Sequence, residues 1–103
     1  MGTQTTQLTT QTIKVLAALM SGEELELSGA QIARSTQLAS GTLYPILMRL
    51  EQAGLVESRW EVEEPSELGR PRRRFYRVTG MGARKAKAAI RNLVAPLGDL
   101  AWR

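Results

Sequence analysis

The sequence predicts one mainly α domain that carries a single β-hairpin. Three observations lead there. Apolar residues recur at helical spacing on both sides of one interruption. Inside the interruption, from Val56 to Val78, the period falls to two. A turn-forming run, Glu64-Pro65-Ser66-Glu67-Leu68-Gly69-Arg70-Pro71, splits that stretch into two strands. The chain has 103 residues, 43% of them apolar and 23% charged, which suits one small globular domain.

Each element has its own local reason. Residues 1–8 are Thr/Gln-rich and are expected to form a disordered tail. Thr9 or Thr10 can cap a first helix, in which Ile13, Leu16, Leu19 and Met20 make the apolar face and Ser21-Gly22 ends it. Glu24-Leu25-Glu26-Leu27 alternates, as a short strand or an extended linker would. Ser28 caps a short second helix, Gly29 to about Ser35, with Ala30, Ile32 and Ala33 as its small or apolar positions. Ser40 is placed to cap a third helix, Gly41 to Ala53, whose stripe is Leu43, Ile46, Leu47 and Leu50. Gly54 follows as the terminating glycine, with Leu50 and Leu55 spaced for the accompanying apolar contact. Pro45 removes the donor that would bond Gly41, so a loose or kinked entry turn is expected. In the first strand Val56, Ser58, Trp60 and Val62 share one face and Glu57, Arg59, Glu61 and Glu63 the other. Arg73 to Val78 returns. Thr79 caps a last helix, Met81 to Trp102, with Ala83, Ala86, Ile90, Leu93, Val94, Leu97 and Leu100 along one side. Gly80 and Gly82 should weaken its first turn, and Pro96 and Gly98 should bend or break it late.

The composition excludes several classes of chemistry. There is no Cys and no His, so thiolate and imidazole metal sites, cysteine nucleophiles and the commonest general base are all absent. No cofactor or metal is expected. No apolar run approaches the length of a membrane span, and the N-terminus is polar, unlike a signal peptide. The cytoplasm is the expected compartment. Glu61, Glu63, Glu64 and Glu67 read as an exposed strand end and turn, not as a carboxylate pair of an enzyme.

The net charge of +4 hides a segregation. Residues 61–69 carry −4, and residues 70–91 carry nine cations and no acid. Arg outnumbers Lys 11 to 3, and the arginine fork matches phosphate oxygens and guanine edges. Three helices, a hairpin and a last helix, with the second and third helices almost contiguous, is the order of a winged helix-turn-helix. In that fold the third helix enters the major groove and the wing touches the adjacent backbone or minor groove.

The candidate DNA contacts follow from this placement. Ser40, Gly41 and Thr42 offer a hydroxyl and free amides at a helix start. Tyr44 lies on the non-core side of the third helix, to meet base edges or to pack against the second helix. Arg49, about a turn on, can reach a phosphate or pair with a Glu on its own face. Arg70, Arg72, Arg73 and Arg74 are the wing candidates, whereas Arg77 should have a local strand partner. Trp60 and Trp102 read as core and interface residues or as walls of an aromatic ligand slot, with packing the favoured reading. Ile90, Leu93, Val94, Leu97 and Leu100 need a partner surface, and a second copy of the chain supplies one.

The run Gly41-Thr42-Leu43-Tyr44-Pro45-Ile46-Leu47-Met48-Arg49-Leu50-Glu51-Gln52-Ala53-Gly54-Leu55-Val56 closely resembles the recognition-helix segment of PadR-type winged-helix regulators. Gly69-Arg70-Pro71-Arg72-Arg73-Arg74-Phe75-Tyr76-Arg77-Val78-Thr79 resembles their wing and its exit into the last helix. The resemblance covers about Ser40 to Gly82. It implies a homodimeric DNA-binding repressor whose C-terminal helix, often with the first helix, makes the dimer. It also implies that some members respond to small aromatic or cationic molecules near the dimer interface. A small-molecule effector is therefore left open here, and at this length its pocket would have to form between protomers.

The expected division is a winged-helix DNA-binding domain over residues 9–79 and a dimerisation helix over residues 80–103. The expected function is sequence-specific binding to double-stranded DNA, at an inverted-repeat operator, by a homodimeric repressor and not an enzyme. The rival is a winged-helix protein-interaction module without DNA binding. Wing arginines paired to Glu61, Glu63, Glu64 and Glu67 would favour that rival. A MarR- or ArsR-like winged helix is the nearest competitor among DNA binders, and the Gly-Thr-Leu-Tyr-Pro run argues against it.

Overall fold

A computed structural model of the chain describes residues 8–101, with side chains through residue 94. The elements run α1 (Thr10–Ser21), β1 (Leu27–Ser28), α2 (Gly29–Thr36), α3 (Ser40–Gln52), β2 (Val56–Trp60), α4 (Pro65–Leu68), β3 (Arg74–Val78) and α5 (Gly80–Ala101). The expected disordered tail lies outside the described residues, apart from Leu8, which packs on the core. β3 is the middle strand of an antiparallel sheet in the order β1-β3-β2. Leu27 faces Tyr76 across β1 and β3, and Ser58 faces Tyr76 across β2 and β3. The fold is a winged helix-turn-helix, mainly α with a hairpin wing. Among the described residues, no helix is long and apolar enough to cross a membrane.

The core is built where the helical stripes meet the inner face of the sheet. Leu16, Ile32, Leu43, Leu47, Leu50, Leu55, Val15 and Val56 are fully buried. The third-helix stripe is buried as its spacing predicts. On α1 the buried arc is wider than expected. Thr12, Val15 and Ala18 join Leu16 and Leu19, while Ile13 and Met20 are only half-buried. The reason is that α1 is packed from several sides, by α2, α3, β3 and α5.

Caps decide the boundaries. Thr9 Oγ1 accepts from the Thr12 amide at 3.2 Å and starts α1. Ser28 and Gln31 form a reciprocal capping box at the start of α2. The cap of α3 is Ala39, not Ser40, and no side chain closes it; Ser40 is the first helical residue. α3 runs through Pro45 as one segment, and the carbonyl that Pro45 leaves unbonded belongs to exposed Gly41, where water can reach it. Gly54, at φ +77°, ends α3: its amide bonds Glu51 C=O at 3.0 Å, and the Leu55 amide bonds Leu50 C=O at 2.9 Å.

Three further expectations are corrected. The first wing strand stops at Trp60, leaving Val62 exposed beyond the ladder. The tip is not a plain turn but a single helical turn, α4, with Pro65 at its start, Glu64 and Glu67 in a capping box, and Gly69 at φ +70° after it. The last helix begins at Gly80 and continues through Pro96 and Gly98 to Ala101 without a break. Pro96 frees only the carbonyl of Asn92, an exposed position.

Gly82 is a packing requirement rather than a weak point. A Cβ at residue 82 would sit 2.9 Å from the Leu55 carbonyl carbon and 2.9 Å from Val78 Cγ2, with the Leu55 oxygen closer still. Gly82→Ala should therefore destabilise the fold by about 1–3 kcal/mol, the usual cost of overpacking. Thermal unfolding followed by circular dichroism at fixed protein concentration checks this, with Gly41→Ala, which meets nothing within 4 Å, as the tolerated comparison.

Candidate nucleic-acid interface

The face of α3 turned away from the core carries Ser40, Gly41, Tyr44, Met48, Arg49 and Gln52, all exposed. The Thr42 amide is already taken by Ala39 C=O at 2.9 Å, which leaves the Ser40 and Gly41 amides as outward donors. Arg49 forms no ion pair among the described residues. Tyr44 does both things that its position allowed. Its ring lies across the first residue of α2, so closely that a Cβ on Gly29 would be 2.9 Å from Tyr44 Cζ, and yet it stays 44% exposed. Gly29 is thus the residue that lets the two helices approach.

The wing arginines do not form one free patch. Arg70 makes a two-pronged pair with Glu61, at 2.6 and 3.0 Å, and Glu61 also accepts from the Arg73 amide at 2.8 Å. Arg72 donates to Glu63 C=O at 2.9 Å and lies 3.2 Å from Glu64. Arg74 turns inward to Ser58 and Glu51. The Arg73 side chain is exposed and has no partner among the described residues. Hence two of the four wing arginines are held by the tip glutamates. Of the two, the Arg72–Glu64 pair is exposed, and such pairs contribute at most about 1 kcal/mol, so a phosphate can displace Glu64 from Arg72. The nine-cation block is contiguous only along the chain: Arg84, Lys85, Lys87 and Arg91 stand on α5, exposed.

On the outer face of the sheet, Arg77 pairs with Glu57 at 2.7 Å, the local partner expected of it. Arg59 grips Glu26 through two 2.7 Å bonds and stacks on Phe75. The Arg59 guanidinium beside Glu26 holds that carboxyl below the ordinary range. On the inner face, burial pushes the Tyr76 phenol up.

Trp60 departs from its expected packing role. It is 54% exposed, with the Arg74 guanidinium over its ring at 5.4 Å. It sits on the same strand face as Val56, but one register past the point where the core ends. Trp60, Tyr44, Arg72, Arg73, Arg74 and the start of α2 line a cleft of about 450 Å³ between the helix-turn-helix and the wing. The cross-strand partner, Arg74 opposite Trp60, is the signal that sequence reading missed. Trp102 lies outside the described residues.

The last helix leaves an apolar strip open. Ile90 is half-buried, and Leu93 and Val94 are 54% and 52% exposed. The side chains of Leu97 and Leu100 lie outside the described residues.

Residues 17–88 match the transcriptional regulator PadR-like family. The chain belongs to that family. This PadR-like chain also resembles solved structures. A PadR family transcriptional regulator from Eggerthella lenta is 28% identical, with a TM-score of 0.66, over 89% of this chain and 81% of that one. Bacillus subtilis PadR, solved in complex with operator DNA, is 18% identical with a TM-score of 0.66 over 82% of this chain; the match spans about half, 48%, of that protein. S. aureus MepR in its DNA-binding conformation is 18% identical with a TM-score of 0.68 over 90% of this chain and 64% of that one. The last two likenesses are of fold. No curated protein sequence matches the chain.

The tip pairing has a measurable pH signature. The Arg70 hydrogen bonds, helped by the Arg73 amide, hold Glu61 down to about 2 from 4.5. A depressed carboxylate stabilises the fold fully above the unfolded value and loses that contribution as pH falls through the folded one. The stability difference between the parent and Glu61→Gln should therefore be constant above about pH 5, shrink between about 4.5 and 2, and vanish below that. Urea unfolding across that range measures it.

Proposed function

We propose that this PadR-like chain is a sequence-specific DNA-binding repressor that acts as a homodimer. The observation that carries the reading is the convergence of two surfaces on one cleft. From α3 Tyr44 lines the cleft, with Arg49 exposed farther along the same helix, and from the wing come Arg73 and the exchangeable Arg72. The Ser40 and Gly41 amides, with the Thr42 hydroxyl beside them, would take a phosphate at the start of α3, and Tyr44 would meet base edges in the major groove. Arg70, Arg72 and Arg73 would lie along the backbone or minor groove, with Arg73 the first contact because no acid among the described residues pairs with it. The likeness in fold to Bacillus subtilis PadR, solved with operator DNA, supports the same placement.

A dimer would be closed by Ile90, Leu93 and Val94 of α5, extended by Leu97 and Leu100. Two α3 helices would then enter successive major grooves about 34–36 Å apart, and the operator would be an inverted repeat. Repression follows from occupying a promoter. The division into residues 9–79 for DNA and 80–103 for the dimer is part of this proposal. A second reading, a protein-interaction module, draws support from one observation: Arg70 and Arg72 are paired to the wing's own acids.

Fluorescence-anisotropy titration against fragments from upstream of the coding sequence, with a scrambled duplex as control, tests the two readings. Selective binding that weakens steeply with salt is expected, and Arg73→Gln should lower the log–log salt slope by about one unit. Binding equal to the scrambled control, unaltered in Arg73→Gln, would leave the interaction module standing. For the dimer, Leu93→Glu with Val94→Glu should shift the sedimentation coefficient to that of a monomer and weaken binding to the same fragment. A dimer that survives the double change would move the interface elsewhere.

A further inference from the structure

Arg74 is the one wing arginine that turns toward α3 rather than outward. Its Nε donates to Ser58 Oγ at 2.9 Å, and Ser58 Oγ donates to Glu51 Oε2 at 2.7 Å. The second arm of the guanidinium lies 3.3 Å from Glu51 Oε1. The proton directions agree: Ser58 gives its single hydrogen to the carboxylate and a lone pair to the arginine. The guanidinium also lies over the rings of Trp60 and Tyr76, at 5.4 and 5.9 Å. Its Glu51 partner is 35% exposed, against 68% for the Glu64 that pairs with Arg72, so solvent screens this pair less.

The chain of contacts crosses three elements. Glu51 stands in the last turn of α3, Ser58 in the middle of β2, and Arg74 at the first residue of β3, where the wing joins the sheet. Inside this point, Leu47, Leu50 and Val56 bind α3 to the sheet through buried contact. Outside it, the cleft opens. A glutamate on the helix that faces DNA repels phosphate, so its presence asks for another role.

We propose that the Glu51–Ser58–Arg74 chain is a strut that fixes the angle between α3 and the wing, making Glu51 and Arg74 positioning residues for DNA binding and removing Arg74 from the phosphate contacts. This rests on the reading of α3 and the wing as the DNA-binding surfaces. A protein that reads a groove and a backbone at once needs the two surfaces in a fixed relation, because a displaced wing loses its phosphates.

Two measurements test the strut. The first is anisotropy against the fragment that the parent binds most tightly, or a random duplex of about 30 base pairs at low salt, long enough for two half-sites. Glu51→Gln and Arg74→Gln should each bind about tenfold more weakly, and the double variant no more weakly than either. Removing an acid by itself would tighten binding, so the direction in Glu51→Gln discriminates. The salt slope of Arg74→Gln should stay at the parent value, whereas a phosphate contact would lose about one unit. The second measurement does not depend on DNA. The chain has no Cys, so spin labels at Met48→Cys and Val62→Cys report the distance from α3 to the wing, in protein diluted with unlabelled chains. The distribution should be narrow in the parent and broadened in Glu51→Gln and in Arg74→Gln, with Ser58→Ala as the substitute if either fails to fold. Glu51→Gln binding as tightly as the parent or more so, a slope loss in Arg74→Gln, or an unchanged distance distribution would each overturn the strut. If the parent binds neither duplex, the DNA reading fails, and the label distances alone decide whether the strut exists.

Discussion

Leu55 is where three elements are pinned together. Its amide closes α3 onto Leu50, its side chain is buried in the core, and its carbonyl accepts from the Thr79 amide at 3.0 Å. Thr79 Oγ1 donates in turn to Gly54 C=O at 2.8 Å and accepts from the Gly82 amide at 3.0 Å, capping α5. Gly82 then lets the backbone of α5 come against the Leu55 carbonyl. The end of α3, the start of the wing and the start of α5 therefore share one small knot of backbone bonds. A change in the α3 exit would move the wing and the last helix together. Such a knot demands glycine twice, once for a left-handed backbone at Gly54 and once for space at Gly82.

Outward from that knot the forces change in kind. Near it the wing is held by buried apolar contact, which does not depend on salt. Further out it is held by Glu51, Ser58 and Arg74, and at the tip by Glu61 with Arg70. These are polar links at intermediate exposure, and they set geometry more than they add stability. The wing is thus least tightly bound at its tip. Its tip holds Arg70 against Glu61 and Arg72 against Glu64, while Arg73 has no ion-pair partner among the described residues.

Much of the fold was legible because its signals are local. The Leu43, Ile46, Leu47, Leu50 stripe, the Gly54 exit and the Ser28 and Thr79 caps each lie within a few residues of what they control. The misjudged boundaries are local too, but there competing choices were close. Ala39 rather than Ser40 caps α3 because the backbone of Ala39 already accepts from both Thr42 and Leu43. The tip formed a helical turn because Glu64 and Glu67 satisfy each other's amides around Pro65.

Local sequence was enough for the order of the main helices and the wing, for the buried stripe of α3, and for the family to which the chain belongs. Hydrogen-bonded turns and side-chain periodicity are written into neighbouring residues, and these settle such features. Which charges are paired was settled by contacts between residues far apart in the chain. Arg74 meets Glu51 across 23 residues, and Arg70 meets Glu61 across nine. A long side chain takes whichever acid the strand register sets within its reach, so a block of nine cations became one wing arginine with no ion pair among the described residues, a strut, two tip pairs, a strand pair and a row on α5. Gly29 under Tyr44 and Gly82 against Leu55 were likewise invisible until the helices were packed, because the need for a missing side chain belongs to the neighbour that fills its place.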